Sequence, residues 1–493
     1  MLVIDGLRTE PIIGLEIHVQ LATRTKMFCA CPLEFGAAPN TAVCPVCLGM
    51  PGALPVINAR AVDHAIRTAL ALNCEIAKFT KWDRKSYYYP DLPKNYQISQ
   101  YELPLAINGH LDIAVPPAGP RRIRIHRIHL EEDAGKLLHA IGNRALDYSL
   151  VDLNRTGVPL MEIVSEPDLR SPEEASAYLD TLRNILRYVG VSDCDMEKGS
   201  MRCDANVSLR PVGTETLGTK AEVKNMNSMK SVRDAIAHEV LRQTALLESG
   251  GRVVQETRLW SQDTGTTQSM RSKEEAHDYR YFPDPDLVPL DLSTEFITNL
   301  QSQLPELPEA RRARYEKELG LSPYDAGVLT AERGLSDYFD RGLAGFPPAE
   351  RGAAAKPLSN WLTTELLGRL NGLKKALDES PIAPDQLAAL VGMIQKGVLN
   401  SKAAKTVFDT MFTEGGDPAA IVKAKGLVQV DDESSIAAWV DEVIAANAKI
   451  VADIKGGKPS AVGSLVGQVM KKSSGRANPQ TVQRLLKEKL SVN

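Results

Sequence analysis

Nowhere in the 493 residues does an apolar run approach the roughly 18 residues of a membrane-spanning helix. The opening stretch MLVIDGLRTEPIIGLEIHV also lacks a basic leader followed by an apolar segment, so a cytoplasmic protein is expected. There is no GxxxxGK[ST] loop and no GxGxxG opening a helix, which disfavours the P-loop and Rossmann ways of holding a nucleotide. Positive charge is not in excess: 58 Lys and Arg stand against 62 Asp and Glu, a net charge of −4. Such a chain does not grip nucleic acid over its whole surface, and any such contact has to be local. No repeat of fixed period and no low-complexity tract is present, which argues against solenoids and disordered arrays.

What is present is material for packed cores, with 43 % hydrophobic and 24 % charged residues. At about 100–200 residues per domain the length allows two to four domains, and three are expected. Over 1–293, turn-rich segments such as DLPKNYQ and VDLNRTGVP alternate with short apolar–polar runs, predicting an α+β domain. Pro283, Pro285, Pro289, Pro305 and Pro308 then punctuate the chain, and helical spacing follows, giving a helical domain over 294–411. Gly415 and Gly416 mark a second break, with a small helical tail over 412–493. There Ser434 or Ser435 is placed to cap a helix carrying Ile436, Val440, Val443, Ile444, Val451 and Ile454 on one face. The tail also gathers Lys455, Lys458, Lys471, Lys472, Arg476, Arg484, Lys487 and Lys489 against Glu488 alone, a local basic patch suited to phosphate or to plain solvation.

In GLEIHVQL a strand puts Leu15, Ile17, Val19 and Leu21 on one side and Glu16, His18 and Gln20 on the other. RCDANVSLR splits likewise, Cys203, Ala205, Val207 and Leu209 against Arg202, Asp204, Asn206, Ser208 and Arg210; KAEVKN sets Ala221 and Val223 against Lys220, Glu222 and Lys224. Any antiparallel sheet with one wet side alternates this way. Asp204 and Asn206, however, are poor mid-strand residues, and carboxylates, imidazole and lysines on one surface suit a divalent cation and a phosphoryl group. IHLEEDAGK adds Glu131, Glu132 and Asp133, and GVPLMEIVSEPD adds Glu162, Glu166 and Asp168. Glu132 shares the parity of Ile128 and Leu130, which points it inward, where a buried carboxylate needs a cation as partner.

Four of the seven cysteines fall between residues 29 and 47: Cys29-Ala-Cys31, twelve residues, then Cys44-Pro-Val-Cys47. The two close pairs predict tetrahedral thiolate ligation of a structural zinc, with Gly49 leaving N–H groups free to face sulfur; a redox dithiol at Cys44 and Cys47 is the competing reading. Cys74, Cys194 and Cys203 read as small buried hydrophobes.

PIIGLEIHVQL, KWDRKSYYYPDLPKNYQISQY, HLEEDAGK, VDLNRTGVPLMEIVSEPD, GSMRCDANVSLR, KAEVKNMNS and DYRYFPDPDLVP, followed by KPLSNWLTTELL and VGQVMKKSSGRANPQ, resemble the B-subunit family of aspartyl/glutamyl-tRNA amidotransferases over essentially the whole chain. The resemblance implies a cradle domain whose antiparallel sheet is similar to the catalytic fold of glutamine synthetase and guanido kinases, then a helical domain and a helical tail. It implies a heterotrimer in which an amidase subunit supplies ammonia through a channel and a third, small partner braces the assembly. This chain has no amidase-like Ser-Ser-Lys constellation of its own. The implied reaction uses ATP and Mg²⁺ to phosphorylate the side-chain carboxylate of glutamate or aspartate on tRNA(Gln) or tRNA(Asn), and ammonia then displaces phosphate. On motif positions the catalytic group is Glu16, His18, Glu131, Glu132 and Glu162, with Glu16, His18, Glu132 and Glu162 holding Mg²⁺. Lys85, Arg202, Asp204, Asn206, Lys220, Glu222 and Lys224 are expected to contact ATP or substrate, and Lys471, Lys472 and Arg476 the tRNA backbone. Some family members lack the four cysteines, which implies that zinc supports the loop and not the chemistry. A tRNA-binding scaffold without activity and a ligase acting on a free small acid are the rival readings.

Overall fold

The structure, a computed structural model, describes residues 2–4, 6–116, 119–142, 144–272, 276–428, 432–455, 461–473 and 476–490. Lys458 of the basic set lies outside the described residues, as does the side chain of Lys455. The chain divides into two compact units, Met1–Leu307 and Pro308–Asn493.

The first unit is built on a ten-stranded sheet. Its strands are β1 (Leu2–Ile4), β2 (Leu7–Gln20), β3 (Glu75–Ile76), β7 (Ala106–Val115), β8 (Gly119–Glu132), β11 (Pro159–Ser165), β12 (Met201–Pro211), β13 (Ala221–Met226), β14 (Glu256–Ser261) and β15 (Thr266–Ser272). The spatial order is β15-β14-β13-β12-β2-β11-β8-β7-β3, with β1 paired to β2; every pairing is antiparallel except β13 with β14. The long central β2 alternates as its sequence predicts: Leu15, Ile17 and Val19 are at most 1 % exposed, while Glu16, His18 and Gln20 stay accessible on the other face. Burying each such aliphatic side chain stabilises by about 1.5–3 kcal/mol, which locks the register, because a one-residue slip would drive the polar set into the core.

Helices α1 (Ala59–Ala71), α2 (Pro172–Val189) and α3 (Met229–Glu248) cover the apolar face and share its core, where Ile66, Leu179, Leu182 and Ile236 are fully buried. Local signals set their ends. Ser171 caps α2 by accepting from the Glu174 N–H, Pro172 occupies the first turn, and Gly190 closes the helix at φ 76°. Three smaller sheets complete the unit: β5 (Asp83–Ser86) between β6 (Tyr96–Ser99) and β16 (Phe282–Pro283), β9 (Lys136–Ile141) with β10 (Arg144–Asp152), and β4 (Phe79–Thr80) with β17 (Leu290–Asp291). Helix α4 (Thr294–Ser302) begins at the expected division near 293 but belongs to this unit, since Leu300 is buried in its core and Leu304 and Leu307 pack against it.

The second unit is helical. Residues from Tyr315 to Val422, lying on α5 (Pro308–Lys317) through α12 (Pro418–Lys425), form one apolar core. Helix α11 (Ser401–Glu414) runs through the expected division at 411–412, because Val407, Phe408 and Met411 pack in the same core as Ile421 and Val422. A separate core joins α13 (Glu433–Ala446), α14 (Ala448–Lys455), α15 (Val462–Lys472) and α16 (Pro479–Leu490). Ile436, Val440, Val443 and Ile454 are buried there. The cap of α13 is Asp432, which accepts from the Ser435 N–H, and not either serine: the carboxylate lies at the turn, and both serine hydroxyls donate to it. Among the described residues no helix is long and apolar enough to cross a membrane.

Candidate active site on the polar sheet face

Antiparallel register converts strand alternation into rows across the sheet. Glu162 on β11 pairs with His18 on β2 and with His129 on β8, and His18 pairs with Arg202 on β12. The adjacent row runs Arg127, Val164, Glu16 and Asp204. Partners in a row point to one face, so four strands far apart in sequence deliver acids and imidazoles to one place.

Glu162 Oε2 lies 3.5 Å from His18 Nε2 and 3.2 Å from His129 Nε2, and His129 Nε2 lies 3.2 Å from Glu131 Oε1. Glu131 also accepts from the Gln97 amide and the Ser99 hydroxyl, each at 2.9 Å, so β6 caps the cluster. Burial opposes the imidazolium of His18, but Glu162, with Asp204 and Glu131 behind it, outweighs burial and raises its pKa to about 9. In turn burial opposes the Glu162 carboxylate, and His129 and His18 more than offset it, holding Glu162 well below the usual range. His18, Glu131 and Glu162 present ligand atoms within 4.8 Å of one another, as do Glu16, Asp204 and Glu222. In the second group Asn206 donates to Glu16 at 2.8 Å, Thr257 donates to Glu222 at 2.9 Å, and Lys224 pairs with Asp204 and, at 3.4 Å, with Glu222. Despite burial, Asp204 and Glu222 raise the Lys224 pKa. Beside this group lies a cleft of about 180 Å³ lined by Ile12, Leu15, Glu16, Pro167, Asn206 and Lys220 among others.

Two more cations complete the surface. Arg202 meets Asp133 at 3.0 Å, where Gln20 donates at 2.7 Å and Arg155 approaches to 3.7 Å. Lys85 Nζ sits 4.8 Å from the centre of the Tyr279 ring, and Glu131 raises its pKa against burial.

Glu132 does not join this group. Neighbours in a strand face opposite ways, so Glu131 takes the polar face and Glu132 the inner one, where it accepts from Lys94 and from the Ile98 N–H at 3.1 Å. The expected Mg²⁺ set of Glu16, His18, Glu132 and Glu162 is thereby divided: His18 and Glu162 go with Glu131, and Glu16 goes with Asp204 and Glu222. Glu166 and Asp168 are occupied by His126 and Arg124 at the far end of β11. His129 was not singled out from the sequence, although HLE gives it the parity of Glu131. Gln97 and Ser99 carried no signal there, because their role depends on how β6 docks.

Cys29, Cys31, Cys44 and Cys47 bring their sulfurs within 4.8 Å of one another. That fits a tetrahedral ion with metal–sulfur bonds of about 2.3 Å. The hydrogen bond to Cys29 lowers the Cys47 pKa to about 4, and Lys26, buried with Nζ 3.6 Å from Cys47 Sγ, adds to it. Gly49 donates to Val46 O and not to sulfur; it is needed for its φ of 66° and because a Cβ there would strike Lys94. Cys194 and Cys203 are buried and Cys74 is partly so.

Two family models match. Residues 11–298 fit the GatB/GatE catalytic domain and residues 348–490 the GatB domain. The chain belongs to the GatB family. It is 56 % identical over 483 residues to the B subunit of the aspartyl/glutamyl-tRNA(Asn/Gln) amidotransferase of Carboxydothermus hydrogenoformans, covering 98 % of this chain and 99 % of that one. It is 54 % identical to the protein so named in Moorella thermoacetica and 55 % to that in Geobacter sulfurreducens, with 98 % of this chain and 99 % of the relative covered in each case. The catalytic-domain match takes in the sheet from residue 11 of β2 onward, and the acidic groups lie inside it. In the second unit of this GatB-family chain Lys471, Lys472 and Arg476 are exposed; Lys472 pairs with Glu442, and Arg476 donates to Ser473 O.

Proposed function

We propose that this chain is the tRNA-binding, ATP-using subunit of a glutamine-dependent amidotransferase that converts glutamate on tRNA(Gln), aspartate on tRNA(Asn), or both, to the amides. The observation that carries the reading is the pair of acidic groups on one sheet face, His18–Glu131–Glu162 and Glu16–Asp204–Glu222, each compact enough to hold a divalent cation. The all-carboxylate group is the better match for Mg²⁺, which prefers oxygen donors; when bound, such ions neutralise phosphate oxygens and the charge that develops during transfer.

This chain's own residues do the rest. Lys85 and Lys224 add positive charge, Asn206 and Thr257 orient Glu16 and Glu222, and the apolar-walled cleft beside Glu16 seats the nucleotide. A carboxylate oxygen of the substrate attacks the γ-phosphorus, the bond to the bridging oxygen breaks, and ADP leaves with that electron pair. The lone pair of ammonia then attacks the acyl carbon, phosphate departs with the C–O pair, and one proton is released. Closeness and fixed charge provide most of the acceleration.

We further assign the sheet to the glutamine synthetase/guanido kinase type. The working particle is read as a cytoplasmic heterotrimer with an amidase and a small third subunit, with a structural zinc on the four cysteines. Lys471, Lys472 and Arg476 are assigned to tRNA phosphates. Gln97, Ser99 and Asn206, which hold acids in place, support an enzyme over an inert scaffold, since a scaffold has no use for oriented carboxylates.

The test reconstitutes the chain with its amidase and small partners and supplies Glu-tRNA(Gln), Mg²⁺, ATP and ammonium chloride, which bypasses the amidase. Glutaminyl-tRNA should form with wild type and not with Glu162→Gln, while tRNA still binds. No ATP-dependent product from Glu-tRNA(Gln) or Asp-tRNA(Asn) would overturn the reading, and inhibition by free glutamate would favour a small-acid ligase.

A further inference from the structure

We infer that Arg127 is the group that receives the substrate's acid side chain, its guanidinium binding the carboxylate about to be activated. The inference rests on the amidotransferase reading and adds a residue to it.

Arg202 faces Asp133, and Lys224 faces Asp204 and Glu222, so those cations are already matched. Arg127 differs. Among the described residues no carboxylate lies within salt-bridge distance of it; it donates to Gln100 O, and its buried Nε has no hydrogen-bond partner. Leaving a buried N–H unsatisfied is costly, so an acceptor brought by a ligand would be stabilised there. Burial lowers its pKa although Glu162 and Glu131 lie near enough to raise it, so the guanidinium is held partly out of water with no carboxylate paired to it.

The position suits the substrate and not the nucleotide. Arg127 lies in the row of Val164 and Glu16, two strand spacings or about 10 Å from Glu16, and two residues along β8 from His129. Arg127 thus lies one row along the sheet from Glu162, on the face that carries both acidic groups. Tyr101 walls the spot: its ring centre is 5.8 Å from the guanidinium, and it stacks on Tyr281 with centroids 4.0 Å apart and planes 10° off parallel. Val164 and Ile107 flank it in the row, an apolar-sided spot open to solvent on the Ile107 and Tyr101 side, where a forked, bidentate arginine–carboxylate pair is favoured and an ammonium is a poor substitute.

The test uses the reconstituted complex with ammonium as nitrogen donor. Arg127→Met should lower kcat/KM for Glu-tRNA(Gln) at least 100-fold, chiefly through KM, with KM for ATP within twofold of wild type. Arg127→Lys, which keeps charge without the fork and covers the case of a Met variant that misfolds, should raise the same KM about tenfold. Uncharged tRNA(Gln), which carries no acid, should inhibit wild type and both variants with equal affinity, an outcome that general disruption would not give. A raised KM for ATP with KM for charged tRNA unchanged would make Arg127 a phosphate ligand and overturn the inference, as would unchanged kinetics in both variants. A wild-type complex without activity would instead count against the amidotransferase reading itself.

Discussion

The cysteine loop and the polar sheet face both gather ligand atoms within 4.8 Å, but they are made in opposite ways. All four sulfurs come from residues 29–47, so that site needs only a short fold-back and one charge partner, Lys26. The sheet groups draw on β2, β8, β11, β12 and β13, separated by up to two hundred residues, and each acid is held by a neighbour from another strand. A local site can be lost and leave the rest folded. A site distributed over five strands exists only if the whole sheet is in register.

The contrast is sharpest in the variants it ranks. Glu162→Gln removes the carboxylate between His18 and His129 and should lower ammonium-dependent amidation by about 10³-fold per folded molecule, assayed below the melting transition. A loss under tenfold in initial-rate assays would move the chemistry elsewhere. Chelating zinc should do the reverse, lowering Tm while amidation per folded molecule persists below the melting transition. At this size each kcal/mol lost is about 1–2 °C in a calorimetric scan, and an unchanged Tm would deny the loop its supporting role.

Glu132→Gln tests the boundary between the regions, because Glu132 sits on a strand of the active surface yet pairs with Lys94, which lies against Gly49 of the cysteine loop. Stranding the buried Lys94 ammonium should cost about 3–5 kcal/mol in denaturant unfolding, with ammonium-dependent turnover within a few-fold of wild type. Catalytic loss equal to that of Glu162→Gln would place Glu132 back among the catalytic acids.

The smallest effect is outside both. Asp432 is depressed from 3.8 to about 2 by accepting from Ser435 and Ser434. A lowered folded-state pKa stabilises above the unfolded value and is lost as pH falls through the folded one. Helicity of α13 should therefore decline between pH about 4 and about 2 in circular dichroism, and Asp432→Asn should lack that step.

The sequence made the cysteine site legible because its ligands are neighbours in the chain. It made the faces of β2, β12 and β13 legible because period-two alternation is local. It did not reveal that His129 meets Glu162 or that Ser99 and Gln97 hold Glu131, since which strand lies beside which, and in what register, is decided by burial over the whole sheet. The expected Mg²⁺ set, which includes Glu132 and leaves Glu131 to the wider catalytic group, shows the cost: the parity that sends Glu132 inward is readable from Ile128 and Leu130, but its Lys94 partner is not. The division near 293 failed to mark a structural edge for a similar reason, because prolines announce a turn but not which core Leu300 will enter.

The adjacent acids of β8 also bear on how this chain can change length. One residue lost just before His129 would bring Glu132 into the place of Glu131 and send Glu131 to the buried place of Leu130; one residue gained would put Glu131 beside Lys94 and Leu130 on the polar face. Substitutions along this strand can be absorbed one at a time; a single-codon insertion or deletion sends every following side chain of the strand to the other face at a stroke.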